Sequence, residues 1–191
     1  FRGKRALIPV TVLGLLGAAA AAIAEWNTFP EPVFSGMMLF DNFAVAFSVI
    51  TILSTLLIVV ISHDYFSRIS EHTAEYYAII LFALAGIIVM VSYHNLSMLF
   101  IGIEIMSVSS YILAGIKKKD VASNEAALKY FLMGAFSTGF LLFGITLLYG
   151  ATGSFDLEGI RQYVISNPAG ISSLFYSGIV LITVGLCFKV G

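Results

Sequence analysis

Between Tyr76 and Ile116 lie 41 residues that hold a single Asp, Glu, Lys or Arg, and that residue is Glu104. The hydrocarbon core of a bilayer is about 30 Å thick, so about 20 apolar residues cross it as a helix. At about 1.5 Å per residue, such a stretch runs roughly 60 Å as helix, enough for two crossings. Lys129 and Lys189 sit in similarly apolar surroundings further on. A charge inside a span costs at least about 2.5–3.5 kcal/mol on insertion scales. One acid and two amines kept at that cost point to charge handling inside the membrane.

The 191 residues are 59% hydrophobic and 11% charged, with a mean hydropathy of +0.98. Soluble domains carry about 25% charge. The expected fold class is all-α, a polytopic membrane helix bundle in contact with the lipid bilayer. A net charge of −1 provides no basic field, so nucleic acid is not an expected partner. Cys187 is the only cysteine, which excludes an intrachain disulfide. Phe1-Arg2-Gly3-Lys4-Arg5 precedes an apolar run, as in a secretory signal. The run passes signal length without a clear cleavage site, and further spans follow. With no initiator Met, and stopping inside an apolar run at Gly191, the chain reads as a fragment open at both ends. Residues 1–191 form a single transmembrane domain.

Uncharged stretches place the spans at about 6–24, 43–62, 76–93, 97–116, 123–149 and 171–191. His94-Asn95 marks a tight break between the third and fourth. Trp26 to Pro32, His63 to Glu75, Lys117 to Asp120 and Ala151 to Gly170 are read as loops. Pro9 falls in the first turn of span one, where a helix tolerates it. Alternate loops carry 3, 1 and 3 Lys or Arg against 0, 0 and 1. The positive-inside rule then turns the start, the 63–75 loop and Lys117–Lys119 toward the cytoplasm, and the loop with Asp156 and Glu158 outward.

Glu104 is about 12 residues from the lysine-rich end of span four, roughly 18 Å along the axis. Lys129 is about 8 residues into span five, roughly 12 Å from the same side. These spans form a hairpin, so the acid and amine are candidates for a pair or relay in which each lowers the other's burial cost. Ser107, Ser110 and Tyr111 follow Glu104 as a polar stripe able to hold water. Two bland alternatives stand beside this. Glu104 also suits a structural ion pair that locks two helices. Lys129 also suits a surface pair with Glu125 at i−4, or snorkelling to the interface. Lys189 has no acid near it in sequence. Burial without a local partner penalises its charged form, and such a lysine can exchange protons.

His94 reads as a hydrogen-bonded cap and Asp41 as an interface charge. His63-Asp64 and His72 are too loosely spaced for a metal site. Gly14, Ala18 and Ala22 recur every four residues, which suits close helix packing. No phosphate loop, GxGxxG, cysteine cluster or hydrolase triad occurs, so the chain offers no cofactor or metal site of its own.

Three stretches carry a resemblance. Asn95-Leu96-Ser97-Met98-Leu99-Phe100-Ile101-Gly102-Ile103-Glu104-Ile105-Met106-Ser107-Val108-Ser109-Ser110-Tyr111 is the first. Ser123-Asn124-Glu125-Ala126-Ala127-Leu128-Lys129-Tyr130-Phe131-Leu132-Met133-Gly134-Ala135-Phe136-Ser137, with Leu148-Tyr149-Gly150-Ala151-Thr152-Gly153-Ser154 after it, is the most specific. Gly185-Leu186-Cys187-Phe188-Lys189 is the third. Together they resemble the antiporter-like membrane subunits, of the subunit N type, of proton-translocating NADH:quinone oxidoreductase (respiratory complex I). The resemblance covers essentially the whole chain and implies the N-terminal half of a longer subunit, without its first helix. It also implies two inverted helix repeats, each with a broken helix bearing a lysine. Glu104 matches the family's glutamate in the first repeat. Lys189 matches the lysine of its broken helix, and Lys129 an extra lysine seen in subunit N. The family's proline after the broken-helix lysine is not in this chain.

What the resemblance implies is proton translocation through Glu104, Lys189 and Lys129, coupled to quinone reduction. NADH, FMN, iron–sulfur clusters and quinone would belong to partner subunits. Other membrane subunits would be its partners, and the membrane would be a bacterial inner membrane rather than an organellar one. The alternatives are a subunit of a multisubunit cation/proton antiporter or membrane-bound hydrogenase, and a non-transporting assembly scaffold.

Overall fold

The structure, a computed structural model, describes residues 4–28, 32–69, 73–168 and 170–190, with side chains left out at 4–6, 64 and 66–69. Expectations resting on Phe1 to Gly3, Pro30, His72 or Gly191 lie outside the described residues, as do those on the side chains of Asp64 and Arg68.

The chain runs α1 (Lys4–Ala24), β1 (Pro32–Val33), β2 (Met38–Leu39), α2 (Asn42–Ile69), α3 (Thr73–Val91), α4 (Leu96–Ala114), α5 (Val121–Thr152), α6 (Leu157–Ser166) and α7 (Ser173–Val190). Among the described residues six helices, α1 to α5 and α7, are long and apolar enough to cross a membrane. Large apolar side chains such as Ile61, Phe82 and Phe136 stand exposed on the outside of the bundle.

Two cores organise the helices. One packs Leu15 and Ala19 of α1, Ile52 and Val59 of α2, and Tyr77, Ile80 and Leu84 of α3. The other packs Ile103 of α4, Leu141, Ile145 and Leu148 of α5, and Phe175 of α7. Between apolar helices in lipid, close backbone approach rather than water exclusion holds the contact, so small residues mark the seams. A Cβ on Gly86 of α3 would lie 2.6 Å from the Met106 nitrogen of α4, and one on Gly144 of α5 2.7 Å from the Ile182 nitrogen of α7. Of the α1 stripe, Ala22 packs against the first core, but Gly14 makes no such seam. A Cβ on Gly14 would meet nothing within 4 Å.

One end of the bundle is knitted by loops. The Leu39 amide donates to the Ser92 carbonyl at 2.8 Å, and the His94 amide to the Met37 carbonyl at 2.9 Å. The Asn95 side chain caps α4 through the Ser97 amide at 2.8 Å and donates to Asp156 Oδ1 at 2.6 Å. Asp41 caps α2 by accepting from the Ala44 amide at 2.8 Å. At the other end Lys118 pairs with Glu75 at 3.1 Å, and the Lys117 ammonium lies 5.7 Å from the centre of the Tyr65 ring.

Three departures from the sequence expectation have a ready physical reading. Helix α2 runs on to Ile69, through residues read as a loop, because no Gly or Pro interrupts His63 to Ile69. Helix α3 starts at Thr73, with Glu75 in its first turn, where the helix dipole favours an acid. The stretch 151–170 is not all loop. Leu157–Ser166 forms α6, whose Ile160 and Tyr163 pack against the second core.

Candidate functional site

Three helices bring charge together inside the second half of the bundle. Glu104 projects from the middle of α4 and Lys189 from the last turn of α7. Helix α5 lies between, held to α7 by the glycine seam and by Ser137, whose hydroxyl donates to the Gly185 carbonyl at 2.9 Å. Gly185 is one turn before Lys189, so this bond pins the turn that carries the lysine.

The Lys189 ammonium meets four oxygens. Glu104 Oε1 is 3.3 Å away, Ser107 Oγ 3.0 Å, Thr138 Oγ1 3.1 Å and Tyr111 Oη 3.3 Å. An ammonium has three hydrogens, so four acceptors cannot all be served by undivided bonds at once. Thr138 also donates to Glu104 Oε1 at 2.8 Å. The pair is sheltered, with the Lys189 side chain 12% exposed and that of Glu104 28% exposed. The exposure of Glu104 opens on a cleft of about 380 Å³ lined by Ile79, Phe82, Ile105, Val108 and Ile112.

Tyr111 reaches Lys189 because α5 makes room for it. A Cβ on Gly134 would lie 1.9 Å from the Tyr111 hydroxyl oxygen. The ring is held edge-on by Tyr130, with centroids 4.7 Å apart, and by Phe131 at 5.9 Å.

The structure thus brings together Glu104 and Lys189, with Ser107 and Tyr111 of the predicted stripe. Ser110 donates instead to the Met106 carbonyl of its own helix. Lys129 is placed elsewhere. Its ammonium is on Glu125, and both side chains are mostly exposed, at 70% and 58%. The reason is rotation. Nine residues separate Lys129 from Thr138, which is two and a half turns at about 3.6 residues per turn. A helix that aims Thr138 at Glu104 therefore aims Lys129 away. Thr138 and Gly134 are the site residues that sequence reasoning missed. Their signal was a hydroxyl and a glycine one turn apart on the helix that follows Glu104.

A sheltered acid, amine and three hydroxyls, with no metal-ligating group of three or more His, Cys, Asp or Glu among the described residues, can hold and exchange protons. Residues 92–191 match the family described as NADH:quinone oxidoreductase/Mrp antiporter, TM. The chain belongs to this family. It is 42% identical over 190 residues to the NADH-quinone oxidoreductase subunit N of Flavobacterium psychrophilum, a match that covers 100% of this chain and 41% of the relative. It is 39% identical over 189 residues to subunit N of Trichlorobacter lovleyi, covering 99% and 39%. Among solved structures, a chain of respiratory complex I from Thermus thermophilus with bound aureothin superposes with a TM-score of 0.77. Identity is 30%, and the match covers 97% of this chain and 38% of that one. A chain of a membrane-bound sulfane sulfur reductase, an archaeal respiratory membrane complex, superposes with a TM-score of 0.78 at 25% identity, covering 95% and 38%. The chain therefore spans about two fifths of the length of the relatives it matches. Family membership and the six spans agree on an antiporter-like membrane helix bundle.

Proposed function

We propose that this chain is part of a proton-translocating membrane subunit, of the subunit N type, of an NADH:quinone oxidoreductase. The observation that carries the reading is the Glu104–Lys189 pair inside three membrane helices, ringed by Ser107, Tyr111 and Thr138. An intramembrane ion pair is costly unless each charge has its partner. Neutralising one member unsettles the other, so the pair couples a change of charge nearby to movement of a proton. Quinone reduction in partner subunits, which would hold NADH, FMN, iron–sulfur clusters and quinone, supplies the drive. Within this chain Lys189 gives up a proton, Glu104 takes one, and the hydroxyls hold the path between them. Other membrane subunits flank the chain in a bacterial inner membrane. The end that carries Lys117 to Lys119 faces the cytoplasm, in keeping with the positive-inside rule.

The test is proton pumping measured against NADH oxidation in membrane vesicles that carry the full complex with Glu104→Gln or Lys189→Met, with assembly checked on a native gel. Assembled complexes whose pumping falls severalfold support the reading. Assembled complexes that pump at the unaltered rate overturn it in favour of a scaffold.

A second reading, a subunit of a multisubunit cation/proton antiporter or of a related respiratory complex, draws on the family description and on the likeness to the sulfane sulfur reductase. Proton movement that requires sodium rather than NADH would favour it.

A further inference from the structure

Hydrogen counting at Thr138 carries the site one step further. Its hydroxyl oxygen accepts from Lys189 at 3.1 Å and is 2.8 Å from Glu104 Oε1, while the direct gap from Lys189 to Glu104 is 3.3 Å. The path through the hydroxyl thus has two short links where the direct one is longer. The same oxygen is 3.0 Å from the Gly134 carbonyl of its own helix. A hydroxyl has one hydrogen, so Thr138 donates to Glu104 or to Gly134, and not fully to both. With Glu104 ionised, the carboxylate is the stronger acceptor, because hydrogen bonds to charged groups are worth roughly twice neutral ones. With Glu104 protonated, that advantage is gone and the helix carbonyl competes, the usual resting place of a threonine hydroxyl within a helix.

We propose that Thr138 is the proton bridge between Lys189 and Glu104, with the Gly134 carbonyl as the resting partner of its hydroxyl. The inference rests on the proton-translocating reading above. In the transfer a Lys189 N–H bond breaks as a Thr138 O–H bond forms, and the original Thr138 O–H bond breaks as a Glu104 O–H bond forms. The ammonium becomes an amine and the carboxylate a carboxylic acid, so charge and protons balance and no redox partner is needed. After transfer the hydroxyl hydrogen is the one received from Lys189. Rotation onto the Gly134 carbonyl frees the oxygen's lone pair to accept from the next ammonium hydrogen.

The test compares Thr138→Val, which keeps the branched shape and removes the hydroxyl, with Thr138→Ser, which keeps the hydroxyl and removes a methyl. Both are made in the full complex in membrane vesicles, beside Glu104→Gln. A positioned proton carrier is worth roughly 10²–10⁴-fold in the step it serves, so even a partly limiting step should slow pumping about tenfold. The expected result is an assembled valine complex that pumps about tenfold more slowly and a serine complex near the unaltered rate. Unaltered pumping by valine overturns the bridge. So does a serine complex that fails as valine does, since keeping the hydroxyl then preserves no more pumping than removing it. If the valine complex does not assemble, Thr138→Ala gives the same contrast with serine in a smaller side chain. Should Glu104→Gln also pump normally, the translocation reading itself falls. Should Glu104→Gln alone lose pumping, only the bridge falls.

Discussion

Gly134→Ala is the substitution whose consequence the structure defines most sharply. The added methyl would sit 1.9 Å from the Tyr111 hydroxyl oxygen, 2.4 Å from Cζ and 2.8 Å from Cε1. To reach 3.4 Å, where ordinary contact begins, the hydroxyl must retreat by about 1.5 Å. Its bond to Lys189 is 3.3 Å now and has no such slack. Overpacking costs about 1–3 kcal/mol. Losing a hydrogen bond to a charged group costs about 1.5–3 kcal/mol. Replacing glycine inside a helix returns about 0.5–1 kcal/mol. The net is a cost of about 1.5–5.5 kcal/mol, centred on the ring that faces Lys189. The assay is the half-life of the assembled complex in detergent, read on native gels, together with pumping in vesicles. The variant should lose the assembled complex sooner and pump less where it assembles. A second change, Tyr111→Leu, removes the obstructing ring and should restore the half-life without restoring pumping, a coupling visible only in the double variant. Gly134→Ala with unaltered half-life and pumping would refute the seating of Tyr111 against α5.

Two further outcomes follow from the same geometry. Lys129→Met should change pumping little, because the exposed pair with Glu125 is worth about 0.3–0.5 kcal/mol; a loss as large as that of Lys189→Met would place Lys129 on the path. Asn95→Ala and Asp156→Ala each break the 2.6 Å bond that ties the start of α4 to the loop before α6. Each should shorten the half-life of the complex, and the double variant should be no worse than the worse single one. Additive losses would show that the two act apart.

How far the sequence alone reached can be judged at particular residues. The six spans were legible because charge is scarce within them, and Glu104 stood out for the same reason. The overrun of α2 to Ile69 was not, since polar residues near an interface do not stop a helix that lacks Gly and Pro. Helix α6 was hidden by its shortness, although Asp156 ahead of Leu157, Ile160 and Tyr163 is a helix-start pattern. The Asp156 side chain makes no cap bond there and is bonded to Asn95 instead. Within the site, sequence spacing gives depth along each axis but not the rotation of one helix against another. Lys129 and Glu104 therefore looked like partners by depth, while rotation turns Lys129 outward and Thr138 inward. The contact with Lys189, 85 residues from Glu104, had no local signal; scarce charge singled out each residue, and only the resemblance set both in one repeat. The four-residue stripe of α1 was a partial guide: Ala22 packs against the first core, while Gly14 faces open space in this structure.

The most direct test of whether the Glu104–Lys189 pair moves protons or only holds helices is the double variant Glu104→Gln/Lys189→Met, compared with each single variant in the full complex. Each single change leaves one sheltered charge without its partner, at a cost of up to about 3–5 kcal/mol for a fully buried pair, whereas removing both charges is often neutral. If the pair moves protons, the double variant regains the half-life of the unaltered complex on native gels while proton pumping in vesicles stays lost. A double variant that regains both stability and pumping would contradict that role and leave the pair a structural lock.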